Sequence, residues 1–114
     1  GKGENKMADV YKLLATAICE SIEDEWEKAT VKIESSLNKM CSFQTEYTLA
    51  SSEKKELKFS LLTANDLMDS VFELQESMSP EHKWNKAVYT LEKNGHFDIT
   101  FEWNQALQDE WDNA

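Results

Sequence analysis

The stretch Trp84 to Trp103, W-N-K-A-V-Y-T-L-E-K-N-G-H-F-D-I-T-F-E-W, decides the fold. It reads as two strands joined by a tight turn at Asn94-Gly95, a dipeptide that favours hairpins between alternating runs. Phe97, Ile99, Phe101 and Trp103 alternate with Asp98, Thr100 and Glu102. In the first strand Ala87, Tyr89 and Leu91 share a face. A two-residue loop would pair Glu92 with Phe97 and Thr90 with Ile99, setting polar against apolar along the ladder. A one-residue slip turns every side chain to the other face, so the buried face selects the register. A type I turn through Lys93 and Asn94, with Gly95 left-handed in a bulge, pairs Leu91 with Phe97, Tyr89 with Ile99 and Ala87 with Phe101. That bulged turn is the expectation, because glycine takes the left-handed conformation without strain.

Working backwards, the spacing predicts a helix from Thr63 to about Met78, stopped by Ser79-Pro80. Thr63 is placed to cap it, and Asp66 to complete a capping box. Leu67, Met68, Val71, Phe72, Leu74 and Met78 form its apolar side. Before it, three alternating runs predict an antiparallel meander. The first carries Ala29, Val31 and Ile33. The second carries Cys41, Phe43, Thr45, Tyr47 and Leu49. The third carries Leu57, Phe59 and Leu61. Ser35 to Asn38 reads as a turn and Ser51 to Glu56 as a polar loop. Met7 to about Glu23 has one apolar stripe at helical spacing, through Val10, Tyr11, Leu14, Ala17, Ile18 and Ile22, with Asn5 placed to cap it.

The predicted order is therefore α-β-β-β-α-β-β. Each strand is apolar on one face, so the sheet wants cover on one side. The fold class is α+β: a five-stranded, largely antiparallel sheet with two helices on one face. Residues 1–6 read as a polar tail, 7–103 as one domain, and 104–114 as an acidic tail or short helix. In that last segment Leu107 and Trp111 lie one helical turn apart.

Composition narrows function. The chain has 114 residues and a net charge of −10, with 22 acids against 12 Lys plus Arg. Such a chain repels nucleic acid and anionic lipid and attracts basic partners. No apolar run is long enough to span a membrane, and the start lacks a signal-peptide pattern. The 2 cysteines, Cys19 and Cys41, have no metal spacing and suit a reducing, cytoplasmic setting.

Signals for catalysis are thin. The 2 histidines, His82 and His96, stand apart among polar neighbours. There is no zinc spacing, phosphate-cradling glycine loop or nucleophile elbow. Acidic pairs such as Asp24-Glu25 lie in charged, exposed stretches, where Asp24 and Glu25 are expected to behave as ordinary solvated carboxylates. The chain is expected not to be an enzyme and to need no cofactor or metal.

The acids themselves are patterned. Asp66, Asp69, Glu73 and Glu76 fall on one stripe of the second predicted helix, and no Lys or Arg lies between Lys58 and Lys83. A second acidic zone follows Lys93, with Asp98, Glu102, Asp109 and Glu110 interleaved with Trp103 and Trp111. These ten residues are the candidate partner-binding positions, since aromatics framed by acids suit a basic partner. The competing reading is a solvated helix face and a frayed acidic end.

Several of these features together resemble the YezG-like immunity protein family, a bacterial antitoxin family of small α+β domains. They are the amphipathic first helix, the Asp24-Glu25-Trp26-Glu27-Lys28 entry, the acidic amphipathic helix, and the hairpin from Trp84 through Asn94-Gly95 to Phe97-Asp98-Ile99-Thr100-Phe101-Glu102-Trp103. The resemblance covers Met7 to Trp103 in order of elements. It implies a cytoplasmic protein that binds and blocks one cognate secreted toxin domain, several of the family's toxins being nucleases. With the acidic surface, the expectation is a basic toxin of the nuclease class bound by a monomer, with no direct contact to nucleic acid or membrane. The resemblance implies no catalytic residues. The chain departs from the family after the hairpin, where an acidic segment replaces a basic-aromatic one. The alternative expectation is an acidic adaptor that associates with itself through an exposed strand edge.

Overall fold

In a computed structural model, the described backbone covers residues 2–37 and 39–114, with side chains described from residue 6 onward, Asn38 excepted. The elements are α1 (Lys2–Ser21), β1 (Trp26–Ser36), β2 (Met40–Leu49), β3 (Lys54–Glu56), α2 (Leu61–Met78), β4 (Lys86–Glu92), β5 (Phe97–Glu102) and α3 (Gln105–Asp112). The sheet order is β3-β2-β1-β4-β5, and every pairing is antiparallel.

The closing hairpin takes the register that burial favours. Leu91 pairs with Phe97, Tyr89 with Ile99 and Ala87 with Phe101. Gly95 has φ +94°, and its N–H donates to Glu92 O at 2.9 Å, while Glu92 N–H donates to His96 O at 2.8 Å. From this hairpin the apolar face runs across the sheet in rows. Leu91 continues into Ala29 and Tyr47, Tyr89 into Val31, and Ala87 into Ile33 and Phe43. α1 covers this face with Val10, Leu14, Ala17 and Ile18, and α2 with Leu67, Val71 and Leu74. Full burial of each large apolar side chain is worth about 1.5–3 kcal/mol. The opposite face of the sheet is uncovered and polar.

Several boundaries differ from the sequence reading. α1 runs through Lys2 to Lys6, so these residues extend the helix rather than form a tail; the helix passes Asn5, whose side chain lies outside the described residues, as does Gly1. β1 continues through Ser35 and Ser36, both buried, and the interior supplies Ser35 with partners in Gln75 and Asn85. The turn expected at these serines comes later, where Lys39 N–H donates to Ser36 O at 2.9 Å, and Asn38 lies outside the described residues.

The third strand is Lys54–Glu56, within the expected polar loop, and not Leu57 to Leu61. Leu57 is buried beyond the strand, where its carbonyl accepts from Thr45 Oγ1. Its alternation with Phe59 therefore reflects packing without a ladder. α2 begins at Leu61, capped by Ser60, whose side chain accepts from Thr63 N–H at 3.2 Å. Thr63 is thus the third helical residue and not the cap. Asp66 falls beyond the first turn, too far along to close a capping box or to gain from the helix dipole there. Ser79-Pro80 does end α2, with Ser79 N–H donating to Gln75 O and Glu76 O.

A buried polar chain ties the far end of the domain together. Gln75 Nε2 donates to Ser35 O at 2.9 Å and to Trp84 O at 2.8 Å, and Ser35 Oγ donates to Gln75 Oε1 at 2.8 Å. Asn85, fully buried, donates through Nδ2 to Asn104 O and accepts from Asn104 N–H. Asn104 in turn caps α3 by accepting from Leu107 N–H at 2.9 Å. The C-terminal segment is therefore a capped helix, with Leu107 and Trp111 half-buried.

Candidate partner-binding surface

α2 lies over the β1–β2 side of the sheet, held there by the Gln75–Ser35 contact, so its outer side faces solvent. Asp66, Asp69, Glu73 and Glu76 are all exposed on that side. Glu73 is partly neutralised, because Lys6 of α1 reaches it at 2.8 Å, and Lys6 is held above its ordinary acidity range by that hydrogen bond. Asp66, Asp69 and Glu76 make no ion pair among the described residues.

Beside them stands a feature the sequence reading missed. Leu61 and Leu62, the first two residues of α2, are 79% and 74% exposed. Alternation placed Leu61 in a strand; Ser60 as N-cap places both leucines on the unpartnered first turn. The signal that separates the two readings is Ser60 three residues before Thr63, a capping spacing that competes with the strand pattern. Two large apolar side chains at the start of α2 thus adjoin Asp66 and Asp69, one and two turns on, which places open apolar surface at the end of an acidic stripe.

The second predicted zone is split, and its strand acids do not join the first. Asp98 pairs with Thr90, and Glu102 with Lys86, on the uncovered face of the sheet, away from the helix layer. Trp103 is half-buried and occupied within the chain. Its Nε1–H donates to Gln105 Oε1 at 3.0 Å, and Lys83 Nζ lies 4.2 Å above its ring. Asp109 accepts from Gln105 Nε2 at 2.9 Å, Glu110 is exposed, and Trp111 is half-buried. Of the ten candidate residues, Asp98 and Glu102 thus face away from the α2 stripe, while Trp103 lines a cleft with Gln75 and Ser79 at the end of α2. The tryptophans are less available than an open anchor would be.

His82 and His96 are exposed, and neither imidazole makes a hydrogen bond among the described residues. No group of three or more His, Cys, Asp or Glu among those residues is placed to hold a metal ion. No helix of the described residues is long and apolar enough to cross a membrane.

Asp24 and Glu25 depart from ordinary behaviour. Asp24 accepts from Tyr47 Oη at 2.7 Å and from Lys55 Nζ at 3.1 Å, which holds its carboxyl below the usual range. Glu25 is lowered by Lys93 at 2.7 Å. Both serve as anchors of the α1–β1 connection, Asp24 to β2 and β3 and Glu25 to the hairpin turn. A scan against protein-family models finds no match for the chain, and a search of curated proteins finds none either.

Proposed function

We propose that this chain is an immunity-type inhibitor that binds a basic toxin domain, of the nuclease class, and blocks it by occlusion. The observation that carries the reading is the surface of α2: Leu61 and Leu62 stand open at its start, with Asp66 and Asp69 one and two turns on and Glu76 exposed near its far end. The carboxylates would meet the Lys and Arg with which a nuclease holds phosphates, and the leucines would supply the dehydrated centre. The resemblance of the hairpin and acidic helix to immunity proteins supports the same reading. In it the chain works in the cytoplasm, where a producing cell needs protection, and performs no chemistry itself.

The test is association with a basic nuclease domain encoded immediately upstream of this chain's gene. Reversing Asp66, Asp69 and Glu76 to Lys should slow association at low salt, since charge acts mainly on encounter. Changing Leu61 and Leu62 to Ser should shorten the lifetime of the complex. Absence of binding, or an association rate indifferent to both sets, removes the proposal.

A further inference from the structure

The two edges of the sheet are treated very differently. β3 is three residues long, two of them Lys54 and Lys55, and has no buried side chain. Short length and lysine are the usual means of blunting an edge. β5 is six residues long, with an unbroken register and neither lysine nor proline. Among the described residues no strand pairs with its outer rim. Because Glu92 N–H and His96 O face each other across the hairpin, the amides of Asp98 and Thr100 face β4 by alternation. Those of Phe97, Ile99 and Phe101 face outward.

The side chains at this edge are apolar and incompletely covered. Phe97 is 43% exposed, and Ile99 and Phe101 are half-buried. Between α1 and the hairpin runs an open apolar trough of about 470 Å³, lined among others by Tyr11, Ala15, Cys19, Trp26, Leu91 and Phe97. The α1 flank on the trough carries the small residues Ala8, Ala15 and Cys19, which leave room for rings from outside.

We propose that two copies of this chain pair antiparallel through β5 about a two-fold axis at Ile99, joining their sheets into one. In that register Phe97 meets Phe101 of the second copy, Ile99 meets Ile99, and Phe101 meets Phe97. The apolar row of each sheet therefore continues across the axis, and the second copy's Phe101 lies at the trough.

Charge selects this register over its neighbours. With the axis at Ile99, Asp98 faces Thr100 and Glu102 faces His96 on the uncovered side. Moving the axis one residue towards the turn sets Asp98 against Asp98. Moving it one residue the other way sets Asp98 against Glu102 twice. Like charges directly opposite destabilise a pairing. α2 lies on the β1–β2 side, so its acidic surface stays free in the dimer, and the dimer stands or falls independently of the toxin reading.

Sedimentation velocity from about 1 µM to about 500 µM tests this, a range that spans the weak association expected of a small interface. A concentration-dependent dimer is expected. Thr100 is exposed, so changing it leaves the monomer fold intact. Thr100→Asp places two acid pairs across the axis and should weaken the dimer by about fivefold or more, and Thr100→Lys should tighten it by about the same factor. Ile99→Pro removes an outward N–H and should abolish the dimer, with circular dichroism checking the fold. A chain monomeric throughout, a series of higher oligomers, or a dimer that Thr100→Asp does not weaken would each overturn the proposal.

Discussion

Ser35 and Gln75 hold each other in both directions across the interface between β1 and α2. Ser35 Oγ donates to Gln75 Oε1 at 2.8 Å, and Gln75 Nε2 returns a hydrogen bond to Ser35 O at 2.9 Å. Both residues are buried, so each group depends on the other for the partner water would otherwise supply. The clasp fixes the angle of α2 on the sheet and so presents its acidic side outward.

Gln75→Ala removes that partner and strands Ser35 Oγ, Ser35 O and Trp84 O in the interior. A loss of about 3 kcal/mol is expected, from unsatisfied groups at about 1–3 kcal/mol each with partial relaxation. Urea unfolding measures it. A loss below about 0.5 kcal/mol, the range of a neutral surface change, would show that the clasp is dispensable.

Asn85→Ala should act at a distance in sequence. Asn85 holds Asn104 by two hydrogen bonds of 2.9 and 2.8 Å, and Asn104 caps α3. Amide exchange across Gln105–Asp112 should accelerate more than exchange in α2. Uniform acceleration would mean that Asn85 acts on the whole domain rather than on α3.

Gly95→Ala is a pure backbone test. A Cβ at Gly95 would meet no atom within 4 Å, so crowding contributes nothing. The φ of +94° alone sets the penalty, about 1 kcal/mol. Thermal unfolding checks it, and an unchanged midpoint would argue against the left-handed turn.

The Asp24 and Glu25 anchors should make stability fall in acid. Each carboxyl is lowered in the fold, from ordinary values of 3.8 and 4.5, Asp24 first by Tyr47 and Glu25 first by Lys93. As pH drops, the unfolded chain takes up these protons before the folded one does. The stabilisation is therefore complete above about pH 5 and is lost as pH falls through the depressed folded values. Asp24→Asn with Glu25→Gln should flatten the acid limb of the urea midpoint plotted against pH. An acid limb of the same slope would place the linkage elsewhere.

The two thiols should react unequally. Cys19 is exposed, whereas burial pushes the Cys41 thiol up to about 12. Thiolate is the reactive form, so a thiol reagent at neutral pH should modify one equivalent in the folded protein and two after denaturation. Equal rates in the native state would contradict the burial of Cys41.

The hairpin was legible because its information is local. Alternation, Asn94-Gly95 and the demand for one apolar face admit a single register, and the structure has it. The amphipathic stripes of α1 and α2 were legible for the same reason. The third strand was not. Leu57 and Phe59 mimic strand periodicity, yet Leu57 is buried by packing beyond the ladder, while Lys54–Glu56 is a strand only because β2 lies beside it. Ser35 looked like a turn residue because nothing nearby in sequence announces its partners, Gln75 and Asn85.

The candidate surface divides in the same way. Sequence alone determined the acidic stripe of α2, since helical spacing fixes which carboxylates share a side. It also determined the α+β class and the apolar face of each strand. Tertiary structure decided that Lys6 takes Glu73, that Trp103 is occupied by Lys83 and Gln105, and that Asp98 and Glu102 face away from α2. It decided, too, that Leu61 and Leu62 stand open and that β5 is an edge. Each of these depends on which distant element arrives alongside, and neither periodicity nor local propensity encodes that arrival.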